Sequence, residues 1–459
     1  MDNGLPATEL ESMSQSLPLQ LHPINKMSPE ILSLIFLQGH YSSHNYVFGW
    51  IHKNASPLIW MQVCKHWRDV ASHNCELWST LSLGCLSMVD LDLKTSLAKQ
   101  WLSRAKSHPL KLSLFANASF REPRRNTVLD VFVERAQFWQ HIEFTLPVSV
   151  WHRLESLDKK PAMPFLKSVT VEYSDIMTDE QQICFFESAP SLTTVHIGIS
   201  MHSASLNVVW KQIEKCSMTL GPQLTNVLMS MHSMVNLTLT INPDSAFPPH
   251  ELITTIPSLR TLEFFCDGGR DPTALWDVLK LPALYDVRFS RSLLPNNQSW
   301  GPQVLPYISR WSTTVKRISL RNAHLTDDEL YQIINYIPLI EKLEIAEDDR
   351  TDYVTNEFME RLTLVSREGQ SGHSGLNAIA PNLQWIGFKG FYYQFDDSVF
   401  IKMVESRWNS PYVTTHDPGA GQVRRLKGVM LKPERLLDTR VTTRLENLKQ
   451  EGLRVELFF

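Results

Sequence analysis

The 459-residue chain is 43% hydrophobic and 20% charged, and 44 Lys and Arg stand against 48 Asp and Glu, for a net charge of −4. That balance supplies ample core-forming material and excludes a global basic field for collecting nucleic acid or anionic lipid. No run reaches the roughly 18 apolar residues of a membrane-spanning helix, and the six cysteines lie far apart with no C-x-x-C pair, as in reduced cytoplasmic or nuclear proteins.

Residues 1–22 carry Asp2, Glu9 and Glu11 and lack the basic and apolar regions of a signal peptide, so they read as a disordered tail. Residues 23–80 read as a small helical domain. Ser28 suits an N-cap, Pro29 the first helical position, and Glu30 the positive helix end. The apolar residues Ile31, Leu32, Leu34, Ile35, Phe36 and Leu37 cover nearly the whole circumference, and a helix apolar all round must be buried all round. A second helix is predicted through Trp60, Cys64, Trp67 and Ala71, with Met61, Val63 and Val70 widening its stripe and Cys64 a buried small residue. A segment of about 50 residues cannot bury that much apolar surface alone, so a partner is expected.

These residues resemble the F-box. Met27 to Leu32 followed by Ile35 and Phe36 matches its opening, and Val63, Cys64, Trp67, Arg68, Val70 and Ala71 with Leu77 and Trp78 match its close. The linker Gln38 to Ser56 is longer than in compact F-boxes and is similar to the expanded loops of fungal ones. The resemblance implies a docking face for a Skp-family adaptor built from Pro29, Ile31, Leu32, Ile35, Val63, Cys64 and Trp67.

Beyond residue 80 one pattern returns, apolar-x-x-apolar-x-apolar. It begins at Trp139, Leu166, Leu192, Met234, Leu259, Leu284, Val315, Ile340, Leu383 and Leu426, in steps of 27, 26, 42, 25, 25, 31, 25, 43 and 43 residues. Six units carry a proline two residues earlier (Pro164, Pro190, Pro257, Pro282, Pro338 and Pro381), which is expected to end a helix just before each strand. The stretch Thr326 to Ile337 reads as such a helix, with Thr326 and Glu329 forming a capping box. Residues 81–459 therefore read as an irregular α/β solenoid of parallel strands and helices, with long insertions at 197–234, 345–383 and 388–426. Residues 367–375 read as a flexible loop, and Leu453 to Phe459 as a closing strand. A doubly wound sheet is the competing fold, but its strands are continuously apolar where these alternate.

The array resembles leucine-rich-repeat proteins, although the Asn or Cys that usually follows the strand is mostly replaced, as at Ser290, Ala346 and Lys389. In that family the strands line a concave binding surface. Positions between the apolar ones then face outward: His196, Glu263, Phe265, Asp286, Arg288, Arg317, Arg321, Lys342, Glu344, Trp385 and Lys389. Outward aromatics and arginines are interface residue types, so Phe265, Arg288, Arg317, Arg321, Trp385 and Lys389 are the candidate target-binding residues. Insertions folding back over Phe265 and Trp385 are the alternative. The acid-rich run Glu341 to Glu357 and the cluster Arg424, Arg425 and Lys427 read as solvated loops or partner patches.

No sequence pattern for catalysis emerges. There is neither a phosphate-binding GxxxxGK[ST] nor a GxGxxG, His250-Glu251 lacks a second histidine, and Gly372-His-Ser374 fails the nucleophile-elbow pattern. His40, His44, His52 and Cys64 are too irregularly spaced to argue for zinc, so no metal or cofactor is expected. Together the two resemblances imply a non-catalytic substrate-recognition subunit of an SCF-type cullin–RING ubiquitin ligase, with an adaptor, a cullin and an unidentified target protein as partners. A leucine-rich scaffold and a small-molecule-sensing receptor, both without ubiquitin transfer, are the alternatives.

Overall fold

The computed structural model describes residues 24, 27–42, 56–85, 91–117, 127–175, 182–198, 201, 206–221, 224–242, 253–267, 273–292, 299–348, 354–365, 379–390, 395–416, 418, 422–432 and 436–458. The tail 1–22 and the segment 367–375 lie outside them. The chain divides into two compact units, 1–141 and 142–459.

In the first unit a helix spans Pro29–Ser42, five residues into the expected linker. The second expected helix is broken. A single turn, Leu58–Met61, is followed by the helix Lys65–His73, and between them Cys64 is extended. Its sulfur accepts the Trp67 N–H at 3.5 Å, so Cys64 is a half-exposed N-cap rather than a core residue. The core is aromatic. Phe36 stacks on Trp60 at 5.1 Å and meets Trp67 at 5.0 Å. The Ser56 hydroxyl binds the Trp60 indole N–H at 3.1 Å and His40 Nδ1 at 2.9 Å, which ties the two sides of the long loop together. Two parallel strands follow, β1 (Thr80–Cys85) and β2 (Leu110–Ala116), with the helix Leu91–Ala105 between them in sequence.

In the second unit, counting the strand that spans its first residues and the boundary, twelve strands of one sheet lie in chain order. They are β3 (Trp139–Leu146), β4 (Ser168–Tyr173), β5 (Thr194–Ile197), β6 (Lys215–Thr219), β7 (Asn236–Ile241) and β8 (Thr261–Cys266), then β9 (Asp286–Arg291), β10 (Arg317–Arg321), β11 (Lys342–Glu347), β12 (Trp385–Gly390), β13 (Gly428–Lys432) and β14 (Arg454–Leu457). From β4 onward every neighbouring pair is parallel. The order never reverses, whereas a doubly wound sheet reverses at its switch point. Helices pack in chain order as well: Gly301–Ile308 on Asp327–Tyr336, then Asn356–Leu362, Asp397–Asn409 and Thr439–Gln450. The architecture is an α/β solenoid.

Register explains the periodicity. The middle apolar positions Leu237, Leu262, Val287, Ile318, Leu343, Ile386 and Val429 lie opposite one another in a single buried row. A one-residue slip of any strand would turn that row outward, so burial fixes the register. The 42-residue step hides another repeat, because β6 contributes Cys216 and Met218 to the buried rows and the segment 197–234 is not simply an insertion.

The prolines do a different job from the expected one. Of the six, Pro338 alone closely follows a helix, Asp327–Tyr336; Pro257 and Pro282 closely follow the short strands Thr254–Thr255 and Leu279–Lys280. In all six the residue before proline accepts the N–H three residues on, as in Met163 to Leu166 at 3.3 Å, Ile256 to Leu259 at 3.4 Å and Ile337 to Ile340 at 3.1 Å. Proline thus occupies the second position of a tight turn, where its fixed φ is already correct. The capping box at Thr326 has its expected form, with Glu329 N–H to Thr326 Oγ1 at 3.3 Å and Thr326 N–H to Glu329 Oε2 at 2.8 Å.

Candidate interaction surfaces

In the first unit, the helix Pro29–Ser42 presents two unlike faces. Leu32 and Phe36, one turn apart, are fully buried. Ile31, Leu34 and Ile35, at i, i+3 and i+4, share the other side and are 49, 63 and 38% exposed. Pro29 is exposed at the helix start, and Val63, ahead of the second helix, is 53% exposed. Thus Pro29, Ile31, Ile35 and Val63 are on the surface, while Leu32 and Trp67 belong to the core and Cys64 caps a helix. Leu34 and Ile59 join the exposed apolar set; Ile59 is an addition that the broken second helix had masked. Glu30 sits at the helix start, where its own backbone N–H and then the Ser28 hydroxyl hold its carboxylate pKa below the ordinary value.

In the second unit the strands turn three rows of side chains to the outer face. One row runs Asp286, Arg317, Lys342, Trp385, Gly428 and Arg454. The next runs Glu263, Arg288, Ser319, Glu344 and Gly387, and the third Phe265, Ser290, Arg321, Ala346 and Lys389. The candidates therefore share one face, with His196 exposed further along it between Thr170 and Ser217.

Trp385 is half-buried by its own sheet. Its ring has the Lys342 ammonium 5.5 Å away on one side and the Arg454 guanidinium 5.4 Å away on the other. Gly428 lies beneath it, and a Cβ there would fall 2.1 Å from the indole. Cations on an aromatic face are attractive, and this stack reaches from β11 to β14, with Arg454 two strands from Trp385. Phe265 is half-buried between Thr240 and Ser290.

Charge pairing organises the remainder. Asp286 is 8% exposed, not solvated, because the outward Arg288 grips it at 3.0 Å. That hydrogen bond, the largest influence, raises the Arg288 pKa against the opposing effect of burial. Arg317 lies over the Tyr285 ring at 5.1 Å, Arg321 pairs with Asp348 at 2.7 Å, and Lys389 is exposed. The acid-rich run starts within the sheet rather than as a solvated loop, with Glu341 on Lys316 at 3.0 Å and Glu344 on Lys342 at 3.0 Å. Burial pushes the Glu341 pKa up, but the bonds and charges of Lys316, Tyr285 and Arg424 outweigh it and leave it below the usual value.

Among the described residues no group of three or more His, Cys, Asp or Glu is placed to hold a metal ion, and no helix is long and apolar enough to cross a membrane. No family model matches the chain, and no curated protein matches it.

Proposed function

We propose that the first unit docks on a Skp-family adaptor and that the outer strand face of the second unit holds a target protein, as in the substrate receptor of an SCF-type ubiquitin ligase. The observation that carries the reading is the exposed stripe of Ile31, Leu34 and Ile35 on a helix whose other side is locked by Leu32 and Phe36. A rigid apolar helix face is what a partner groove accepts, and its exposure to water is unfavourable until covered. The order of residues from Met27 to Trp78, which resembles the F-box, supplies the identity of the partner. The chain would contribute proximity rather than bond chemistry.

The test is a pull-down of a recombinant Skp-family adaptor by the full chain and by Ile31→Asp/Ile35→Asp. The double variant should lose binding, because each aspartate would be buried without a counter-charge on docking. Both positions are exposed in the free chain, so its circular dichroism should match the parent. Binding that survives the double substitution overturns the reading.

A further inference from the structure

Ahead of β13 a cavity of about 190 Å³ opens between the C-terminal end of the helix Asp397–Asn409 and the short parallel ladder of Val413–Thr414 with Val423–Arg424. Its wall includes Arg424, Arg425, Lys427, Thr414, Trp408 and Gln384. The basic cluster that reads from sequence as a solvated loop is thus folded around a space.

Arg425 is held in place. Its guanidinium lies 3.7 Å over the Trp408 ring, and its Nε donates to the Trp408 carbonyl at 3.2 Å. Stacking fixes the plane, and the two terminal amino groups have no partner among the described residues. Gln384 is 8% exposed, and its side-chain amide makes no hydrogen bond among the described residues. The amide is not sealed from solvent, so it stays open to a ligand that enters the cavity. The Thr414 hydroxyl accepts the His416 N–H at 3.2 Å and keeps its own proton to give. Lys427 is exposed, with no ion pair among the described residues.

The acids nearby are engaged elsewhere. Glu341, 3.7 Å from Arg424, is bound at 3.0 Å to Lys316, and Glu451 accepts the Trp408 indole N–H at 3.0 Å and faces Arg444 at 3.5 Å. The cavity is therefore rich in donors and positive charge. A tetrahedral oxyanion offers acceptors in several directions at once and suits a guanidinium fork beside an ammonium. The volume is about six times the ~30 Å³ share of one liquid water, room for a phosphate group and a short substituent.

We propose that this cavity binds one phosphate-type dianion, either free or as the ester end of a larger molecule. Nothing in it depends on adaptor docking. Inorganic phosphate titrated calorimetrically into the full chain at constant ionic strength should saturate one site. Arg425→Ala and Lys427→Ala should each weaken that binding roughly tenfold or more, as expected for loss of a charge-assisted hydrogen bond. Lys427 is exposed, so its variant keeps the fold and decides the matter even if Arg425→Ala does not fold. O-phosphoserine run in parallel separates the sources. Tighter binding of the ester assigns the site to a phosphoryl group carried on another molecule, and tighter binding of the ion assigns it to free phosphate; both support the proposal. Absence of saturable binding by either, or binding undiminished in Lys427→Ala, overturns it.

Discussion

Trp385 rests on Gly428, and the space its indole occupies exists because residue 428 has no side chain. The two residues face each other on adjacent strands, β12 and β13. Gly428→Ala should force the ring off its seat and away from Lys342 and Arg454, at a cost of about 1–3 kcal/mol for overpacking. Urea unfolding of the single variants and of Gly428→Ala/Trp385→Ala checks this. The glycine substitution should cost much less once the indole is gone. An equal cost in both backgrounds would show that the two residues are not coupled.

The two faces of the helix Pro29–Ser42 should respond oppositely to truncation. Phe36 is fully buried against Trp60 and Trp67, so Phe36→Ala should destabilise the first unit by about 3–5 kcal/mol. Leu34 is 63% exposed, and Leu34→Ala should stay within about 0.5 kcal/mol of the parent. Denaturant midpoints followed by tryptophan fluorescence measure both. A large loss from Leu34→Ala would mean that this face is already covered within the free chain.

Much of the solenoid was legible because burial and register impose a repeat on the residues themselves. Leu262, Val287, Ile318 and Leu343 share one row, and their spacing announces it. The repeat at β6 escaped because Cys216 and Met218 stand where Leu, Ile, Val or Phe stands elsewhere, with Lys211 in the place of the turn proline. The break at Cys64 escaped for another reason. Trp60, Trp67 and Ala71 stay in helical phase across it, and periodicity cannot register a single extended residue. The outward positions could be counted, but pairing between strands cannot be read from one strand. Asp286 is buried by Arg288 and Trp385 is flanked by Arg454, sixty-nine residues further on. The same holds for the basic cavity, where Arg425 is visible in the sequence but the Trp408 ring that orients it is not.

Glu341 makes the second unit sensitive to acid. Its folded pKa lies below the ordinary 4.5, so the folded state favours the carboxylate more than the unfolded chain does. The resulting stabilisation is present above the unfolded value and is lost as the pH falls through the lower folded value. Glu341→Gln should therefore be less stable than the parent at neutral pH, with the difference shrinking on acidification through that window. Urea midpoints across a pH series give the comparison. A difference independent of pH would assign the role of Glu341 to packing rather than charge.

Arg407 offers the most severe test of the second unit. It is fully buried, and its guanidinium donates to the Leu362 carbonyl at 2.8 Å, the Ala380 carbonyl at 3.2 Å and the Ile379 carbonyl at 2.6 Å. One side chain thereby joins the end of the helix Asn356–Leu362 to the turn that leads into β12. Burial pushes its pKa down to about 10, so it keeps its proton at neutral pH. Lysine there would place one compact ammonium where a planar fork reaches three carbonyls, leaving at least one of them unsatisfied. Arg407→Lys should therefore cost on the order of 3 kcal/mol. The pH dependence distinguishes this from a simple packing defect. A buried lysine has its pKa depressed below the unfolded value of about 10.4, so the unfolded chain binds more protons across that window. Stability of the lysine variant should then climb as pH rises from about 6 to 9, while the parent, still protonated, stays flat over the same range. A lysine variant as stable as the parent, with no slope, would mean that the three carbonyls do not need the fork.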